Sequence, residues 1–194
     1  MIANVDTEKM TVATFHQMEF DEDDTYQYEL LDGDIVKKND PTLRAPAPRH
    51  QRLVRKLLIN LQLFVEKSNL GEMFDSPIDV FLDEFTAPQP DLVFIATDKA
   101  HLITDDGIMG APTFVVEIIS PTSVYRDRVT KKALYERFGI GEYWLVDPAD
   151  AYIEIFSLAN GRYELLSAAS VQEGTLTSAA LPGLALDLAG LFAE

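Results

Sequence analysis

Apolar residues recur at helical spacing through Leu53, Val54, Leu57, Leu58, Leu61 and Val65, and this stripe, bounded by Pro48 and Gly71, predicts the longest helix of the chain. Upstream, Thr11 stands as an N-cap before Val12, Phe15 and Met18, a short helix that runs out in the acidic residues 21–24. The first ten residues show no periodicity and are expected to be loose. Strand-forming residues on both sides of Asp32-Gly33 predict a hairpin over 26–36, which puts Glu29 on a strand close to the turn.

Three strands are expected next, at 78–82, 91–96 and 114–119. The last is almost wholly apolar, as a central strand should be, except for Glu117. A helix over 126–138, stopped by Gly139, leads to an apolar strand at 143–146 that Asp147-Pro148 closes. Strand, helix and strand at this spacing form a right-handed crossover with two parallel strands in one sheet. A further hairpin flanks Asn160-Gly161, and 181–192 reads as a packed turn of helix. The pattern as a whole predicts an α/β (α+β) fold with an additional β-hairpin, in one domain over 11–194.

Composition narrows the chemistry. The chain has 194 residues, 47% of them hydrophobic, which suits one sizeable core and is short for two. It has no cysteine, so disulfides, thiolate zinc sites and cysteine nucleophiles are excluded and any metal ligand must be oxygen or imidazole. No basic leader precedes an apolar run and no stretch is long enough to cross a bilayer, so a cytoplasmic protein without membrane contact is expected.

The formal charge of -16 argues against a phosphate-binding protein, but it is unevenly spread. Arg44, Arg49, Arg52, Arg55, Lys56 and Lys67 share a segment whose single acid is Glu66, and Arg126, Arg128, Lys131, Lys132 and Arg137 form a second cluster. Each cluster reads either as a solvated helix face or as a local phosphate-facing surface on an acidic body.

Asp91 opens one predicted strand and Glu117 lies near the end of a later one. If those strands pair antiparallel, the start of the first lies opposite the end of the second, and the carboxylates become neighbours at a spacing that suits a shared divalent ion. As isolated residues, Asp91 reads as a turn aspartate after Pro90 and Glu117 as an arginine-paired core residue. Together they point to a site, because a Glu between Val116 and Ile118 in a central strand requires a special partner. Neutralising either should relieve mutual repulsion in metal-free buffer.

Pro90-Asp91-Leu92-Val93-Phe94, Val116-Glu117-Ile118-Ile119-Ser120-Pro121, Asp127, Lys131, Tyr135 and the run from Gly139 to Pro148, in this order and spacing, resemble the Uma-type restriction endonuclease family of the PD-(D/E)XK nuclease superfamily. Tyr28-Glu29-Leu30-Leu31-Asp32-Gly33 and His50-Gln51 extend the likeness to roughly residues 11–192. The resemblance implies a restriction-endonuclease-like central mixed β-sheet flanked by helices, and an endonuclease that hydrolyses phosphodiester bonds in DNA. It further implies magnesium, with manganese as a substitute, held by Asp91 and Glu117. Glu29 is carried over as a supporting carboxylate, against a reading as a solvated strand residue, and His50 as a site or phosphate contact, against a helix cap. Asp79 is a candidate acidic neighbour. Arg49, Arg52 and Lys56, on one helical face, are expected to contact nucleic acid, as is Tyr135.

The third position of the superfamily motif is Ile119 where a lysine is usual, and in this family the lysine sits on the following helix, here Lys131. The plain alternative for Lys131 is a surface lysine paired with Asp127 at i,i+4. The functional reading brings its ammonium to the carboxylates or the scissile phosphate, so that its removal costs rate and little stability. Val124 and Tyr125 replace basic residues common in related sequences, which lowers phosphate affinity. DNA binding is therefore expected to be weak or structure-specific, and a homodimer follows by analogy with duplex cleavage. The competing class is a catalytically silent nucleic-acid-binding or protein-interaction module of the same fold, which the net charge favours; an acidic scaffold mimicking DNA leaves the basic helices unexplained.

Overall fold

The computed structural model describes residues 9–19, 27–38 and 48–193. The acidic run at 21–24, Arg44, and the loop containing Pro41 and Pro46 lie outside these residues, as does most of the segment expected to be loose, although the Met10 N–H donates to the Gly33 carbonyl.

Helix α1 (Val12–Phe15) is capped by the Thr11 hydroxyl, which accepts from the Thr14 N–H. Strands β1 (Tyr28–Leu31) and β2 (Asp34–Lys37) form the expected hairpin. Asp32 at φ 55° and Gly33 at φ 85° both occupy the left-handed region that a two-residue hairpin turn demands. Helix α2 (Pro48–Ser68) buries Leu53, Leu57, Leu61 and Val65, the predicted stripe.

A six-stranded sheet lies at the centre, made of β3 (Gly71–Asp75), β5 (Leu92–Ala96), β8 (Phe114–Ile118), β9 (Glu142–Asp147), β10 (Tyr152–Ala159) and β11 (Arg162–Ser170) in the spatial order β11-β10-β9-β8-β5-β3. Among the described strands of this sheet only β8 and β9 pair parallel, joined by the expected crossover. A smaller three-stranded sheet contains β4 (Val80–Phe81), β6 (Ile103–Thr104) and β7 (Gly107–Met109). Here the structure departs from the sequence reading. The predicted strand at 78–82 shrinks to β4 and leaves the central sheet for β7, and its place beside β5 is taken by β3, which the sequence reading missed. Gly71-Glu72-Met73-Phe74-Asp75 buries only Met73, so it carries no alternation strong enough to announce a strand.

The predicted helix at 126–138 is real but not uniform. Arg126–Lys131 is wound in π-helical turns, and only Lys132–Arg137 (α3) is regular α-helix. Helix α4 (Leu188–Phe192) ends the chain. The sheet separates two cores. Leu92, Phe94, Phe114, Val116, Trp144 and Val146 pack on α2 and α4, while Val93, Ile95, Val115, Leu145 and Tyr143 pack on Leu134 and Tyr135 from the crossover. No helix among the described residues is long and apolar enough to cross a membrane.

Candidate active site

Strands β5 and β8 pair antiparallel with Leu92 opposite Val116, so one further step along the ladder sets Asp91 against Glu117. Alternation puts both on the face of Val93 and Val115, toward the crossover helix. Both are almost fully enclosed, 4% and 2% exposed. The Ile118 N–H donates to Asp91 Oδ2 at 2.8 Å, which ties the carboxylate of one strand to the backbone of the other.

The two have different company. Lys38, at the end of the hairpin, places Nζ 3.0 Å from Asp91 Oδ1, and His50, in the first turn of α2, places Nε2 3.2 Å from Oδ2. Burial opposes the Asp91 charge, but Lys38, His50 and the Ile118 N–H outweigh it and hold this carboxyl far below the usual range. His50 responds in kind. Burial disfavours its charged form, and the hydrogen bond and charge of Asp91 overcome that and raise its pKa.

Glu117 is bound from within. Lys131 donates to its Oε1 at 2.7 Å and the Tyr135 hydroxyl to the same oxygen at 2.8 Å. The Lys131 ammonium is also 2.8 Å from Glu29 Oε2, and neither Lys131 nor Glu29 is exposed at all. Burial pushes the Glu117 pKa up to about 7, Lys131 opposes the shift, and Asp91 and Asp127 add to it. Lys131 is raised too, because two carboxylates overcome its burial. The geometry behind both directions is one ammonium buried between the Glu29 and Glu117 carboxylates. Arg126 extends the network, with Nε 3.7 Å from Glu29 Oε1 and 3.5 Å from Asp127 Oδ1. Neither contact has hydrogen-bond geometry, and these three atoms are buried without such a partner.

Glu29, Asp91, Glu117 and Asp127 thus face three permanent cations, Lys38, Arg126 and Lys131. The surplus is negative unless His50 is protonated. A cleft of about 870 Å³ opens onto this surplus, lined among others by Lys38, Arg49, His50, Asp91, Glu117 and Arg126. These residues fit a hard divalent cation. Asp91 and Glu117 supply oxygen donors, both hydrogen bonds that Glu117 makes among the described residues use Oε1, and Oε2 takes neither. No group of three or more acidic or imidazole ligands exists among the described residues, so such an ion would retain several waters, as magnesium prefers.

The structure brings Asp91, Glu117, Lys131, Glu29, His50 and Tyr135 together. Within that set it rules out the plain alternatives for Lys131 and Glu29 and corrects the expectation for Tyr135. Lys131 is no surface lysine: it is sealed behind Glu117 with its charge divided between two carboxylates, away from the cleft lining. Tyr135 is fully buried with its hydroxyl on Glu117, so it cannot present a face to nucleic acid. Glu29 is no solvated strand residue but a buried partner of Lys131. Asp79 stays outside the site, held by His16 and the Gln89 side chain.

The basic stripe of α2 divides. Arg49 lines the cleft and donates to the Pro148 carbonyl, Arg52 is exposed, and Lys56 donates to the carbonyls of Gly190 and Ala193 at the end of α4. The second basic cluster is engaged by the fold's own groups: Arg126 and Lys131 in the site, Arg128 on Asp147 and Glu154, Lys132 over the Phe156 ring, and Arg137 on Asp32 at the surface. Sequence reasoning missed Lys38, Arg126 and Asp127 as members of the site. The only signal for Lys38 was its place where the hairpin ends, and for the other two the i,i+4 and i,i+5 spacing to Lys131.

A mixed sheet with a carboxylate pair on one antiparallel rung, covered by a crossover helix, defines a nuclease-like architecture. Residues 12–189 match the Uma2 family, described as "Putative restriction endonuclease", and the chain belongs to that family. Among solved structures it is similar to the crystal structure of a "putative nuclease belonging to DUF820" from Anabaena variabilis, with a TM-score of 0.74 and 16% identity over 95% of this chain and 99% of that one. The fold is therefore restriction-endonuclease-like. No curated protein matches the chain.

Proposed function

We propose that this protein is a divalent-metal-dependent endonuclease that hydrolyses phosphodiester bonds in DNA. The observation that carries the reading is the Asp91 and Glu117 pair, opposed on one rung, buried, short of positive charge and open to the cleft. A binding module gains nothing from such a pair, whose burial is costly even with Lys38 and Lys131 beside it.

Asp91 and Glu117 are the residues that would hold magnesium or manganese, which supplies polarisation of the phosphoryl oxygen and eases loss of the proton from the attacking water. Lys131 and Tyr135 fix Glu117 through Oε1 and so aim Oε2 outward; Lys131 is a positioning residue in this account. Glu29 and Arg126 in turn hold Lys131 and Asp127. Arg49, Arg126 and His50, which line the cleft, are the groups placed to meet a phosphate. Duplex cleavage by this reading uses a homodimer, one site per strand, which sedimentation of the protein with and without duplex would measure.

The test is cleavage of supercoiled plasmid and of single-stranded, duplex and branched oligonucleotides in magnesium and in manganese. The wild type is compared with Asp91→Asn and Glu117→Gln, each checked for folding by circular dichroism. Metal-dependent cleavage that both variants lose supports the reading. Cleavage that survives in either sinks the site assignment. The second reading, a silent nucleic-acid-binding module, is favoured by the charge of -16 and by an Asp91 whose oxygens are already engaged. It requires that wild type bind DNA without cutting it under every metal condition.

A further inference from the structure

Both oxygens of Asp91 are engaged by groups of the protein itself. Oδ1 has the Lys38 ammonium at 3.0 Å, and Oδ2 has His50 and the Ile118 N–H. Lys38 is not a passing surface lysine, because its side chain is only 9% exposed and Nζ also donates to Ser76 Oγ at 2.8 Å. Its main chain is clamped separately: the carbonyls of Lys37 and Lys38 accept from the two terminal nitrogens of Arg126 at 2.7 and 3.0 Å, and the Lys38 N–H donates to the Gln27 carbonyl at 2.8 Å. The ammonium can therefore leave Asp91 by side-chain rotation while the backbone stays in place.

We propose that Lys38 is a resident counter-cation of the carboxylate pair, occupying the seat on Asp91 that a divalent ion needs and withdrawing toward the cleft when that ion binds. The inference rests on the metal-site reading above and adds to it a residue that sets metal affinity. The geometry carries it, since an ion on Asp91 Oδ1 would meet the ammonium already 3.0 Å from that oxygen, and the formal charges agree. With Lys38 in place, Glu29, Asp91, Glu117 and Asp127 exceed their permanent cations by one charge. Adding two positive charges without releasing Lys38 overshoots by one and sets like charges on one carboxylate oxygen. Adding them with Lys38 withdrawn sets four formal positive charges, two on the ion and one each on Arg126 and Lys131, against the four carboxylates. Lys131 cannot serve as the released cation, since it is sealed between Glu29 and Glu117, whereas Lys38 lines the cleft and has a path to water. Ser76 Oγ keeps the departing ammonium within reach, so the exchange is reversible.

Two measurements on the intact protein test this, and neither needs turnover. The first is manganese binding by electron paramagnetic resonance at neutral pH for wild type, Lys38→Gln and Asp91→Asn. Lys38→Gln is expected to bind at least tenfold more tightly than wild type, and Asp91→Asn to lose binding. The second is acetylation of lysines in wild type, read by peptide mass spectrometry with and without calcium, with exposed Lys67 and buried Lys131 as internal references. Lys38 is expected to label at least fivefold faster when calcium is bound, with Lys67 and Lys131 unchanged. Manganese bound by wild type and lost in Asp91→Asn, combined with equal or weaker binding by Lys38→Gln or with unchanged or slower Lys38 labelling, overturns the counter-cation role and leaves the metal site standing. No manganese bound by either wild type or Lys38→Gln overturns both.

Discussion

Asp91 and Glu117 face each other across one rung of the sheet, equally buried, yet their surroundings push them in opposite directions. Asp91 lies where three elements end, so Lys38 from the hairpin, His50 from α2 and a backbone N–H from β8 all reach it, and its charge is overcompensated. Glu117 lies inside a strand, where only the crossover helix can approach, and it must share Lys131 with Glu29. Position along the strand, rather than burial, decides which carboxylate keeps its charge without help. The pair therefore consists of one anchor that is always ionised and one group poised near neutrality.

The largest effect that would break this comparison is on cleavage, which both Asp91→Asn and Glu117→Gln should abolish. Metal-free stability should separate them. Glu117→Gln removes surplus charge and is expected to be neutral or stabilising by thermal melt. Asp91→Asn strands Lys38 and His50 and should cost about 2 kcal/mol, less than a fully sealed pair because Lys38 can turn to the cleft. The sequence reading treated the two neutralisations alike, and the cations on Asp91 are the reason they differ.

Next in size is Lys131. Lys131→Ala should lower the rate roughly a hundredfold, the scale for losing one preorganised group, and should also destabilise by about 3 to 5 kcal/mol because Glu29 and Glu117 lose their only shared ammonium. The double variant Glu29→Gln with Lys131→Met leaves no unpaired charge behind Glu117 and should recover most of the stability. If it also recovers the rate, the ammonium does not aim Glu117. Wild-type melting in Lys131→Ala would show that the buried triad is not as drawn.

Much of this was legible in the residues. The stripe of α2, the Asp32-Gly33 and Asn160-Gly161 turns and the apolar run of β8 each carry a local period or a turn signal, and each stands where it was expected. Asp91 and Glu117 could be paired because antiparallel geometry ties sequence ends together. Lys38 and Arg126 could not be placed, since they join the site through tertiary contacts between elements distant in sequence. Tyr135 was misplaced for a related reason: expected against nucleic acid, it is buried with its hydroxyl on Glu117. The i,i+4 spacing sets residues 127, 131 and 135 on one face, but a helix at 126–138 read as uniform gives no hint that π-helical turns precede α3 or that this face is the buried one.

The pH dependence of metal-free stability sharpens the contrast. A carboxyl whose pKa is higher in the folded state binds its proton more tightly there, so its contribution is full below the unfolded value and lost as pH rises. For Glu117 the window runs from 4.5 to about 7, a difference on the order of 3 kcal/mol. Asp91 has the opposite sign: its contribution is present above 3.8 and fades as pH falls. Thermal melts from pH 4 to 8 should therefore show Glu117→Gln gaining on wild type by several degrees as pH rises. A constant gap would mean that Glu117 is ionised throughout.

The smallest effect concerns the stripe on α2, expected from the sequence to act as one phosphate-binding surface. The structure divides its labour. Lys56 closes the carbonyls at the end of α4, an exposed contact worth a few tenths of a kcal/mol, while Arg49 lines the cleft and Arg52 is exposed beside it. Lys56→Gln should therefore lower the melting temperature slightly and leave DNA affinity unchanged, whereas Arg49→Gln with Arg52→Gln should weaken binding to every sequence. Each phosphate contact contributes about 0.9 to the slope of log affinity against log salt on duplex DNA, so the double variant should flatten that slope by up to about two such steps. Fluorescence anisotropy over a salt series measures it. If Lys56→Gln flattens the slope as much as the arginine pair does, the three cations act as one surface and the contact of Lys56 with α4 is incidental to binding.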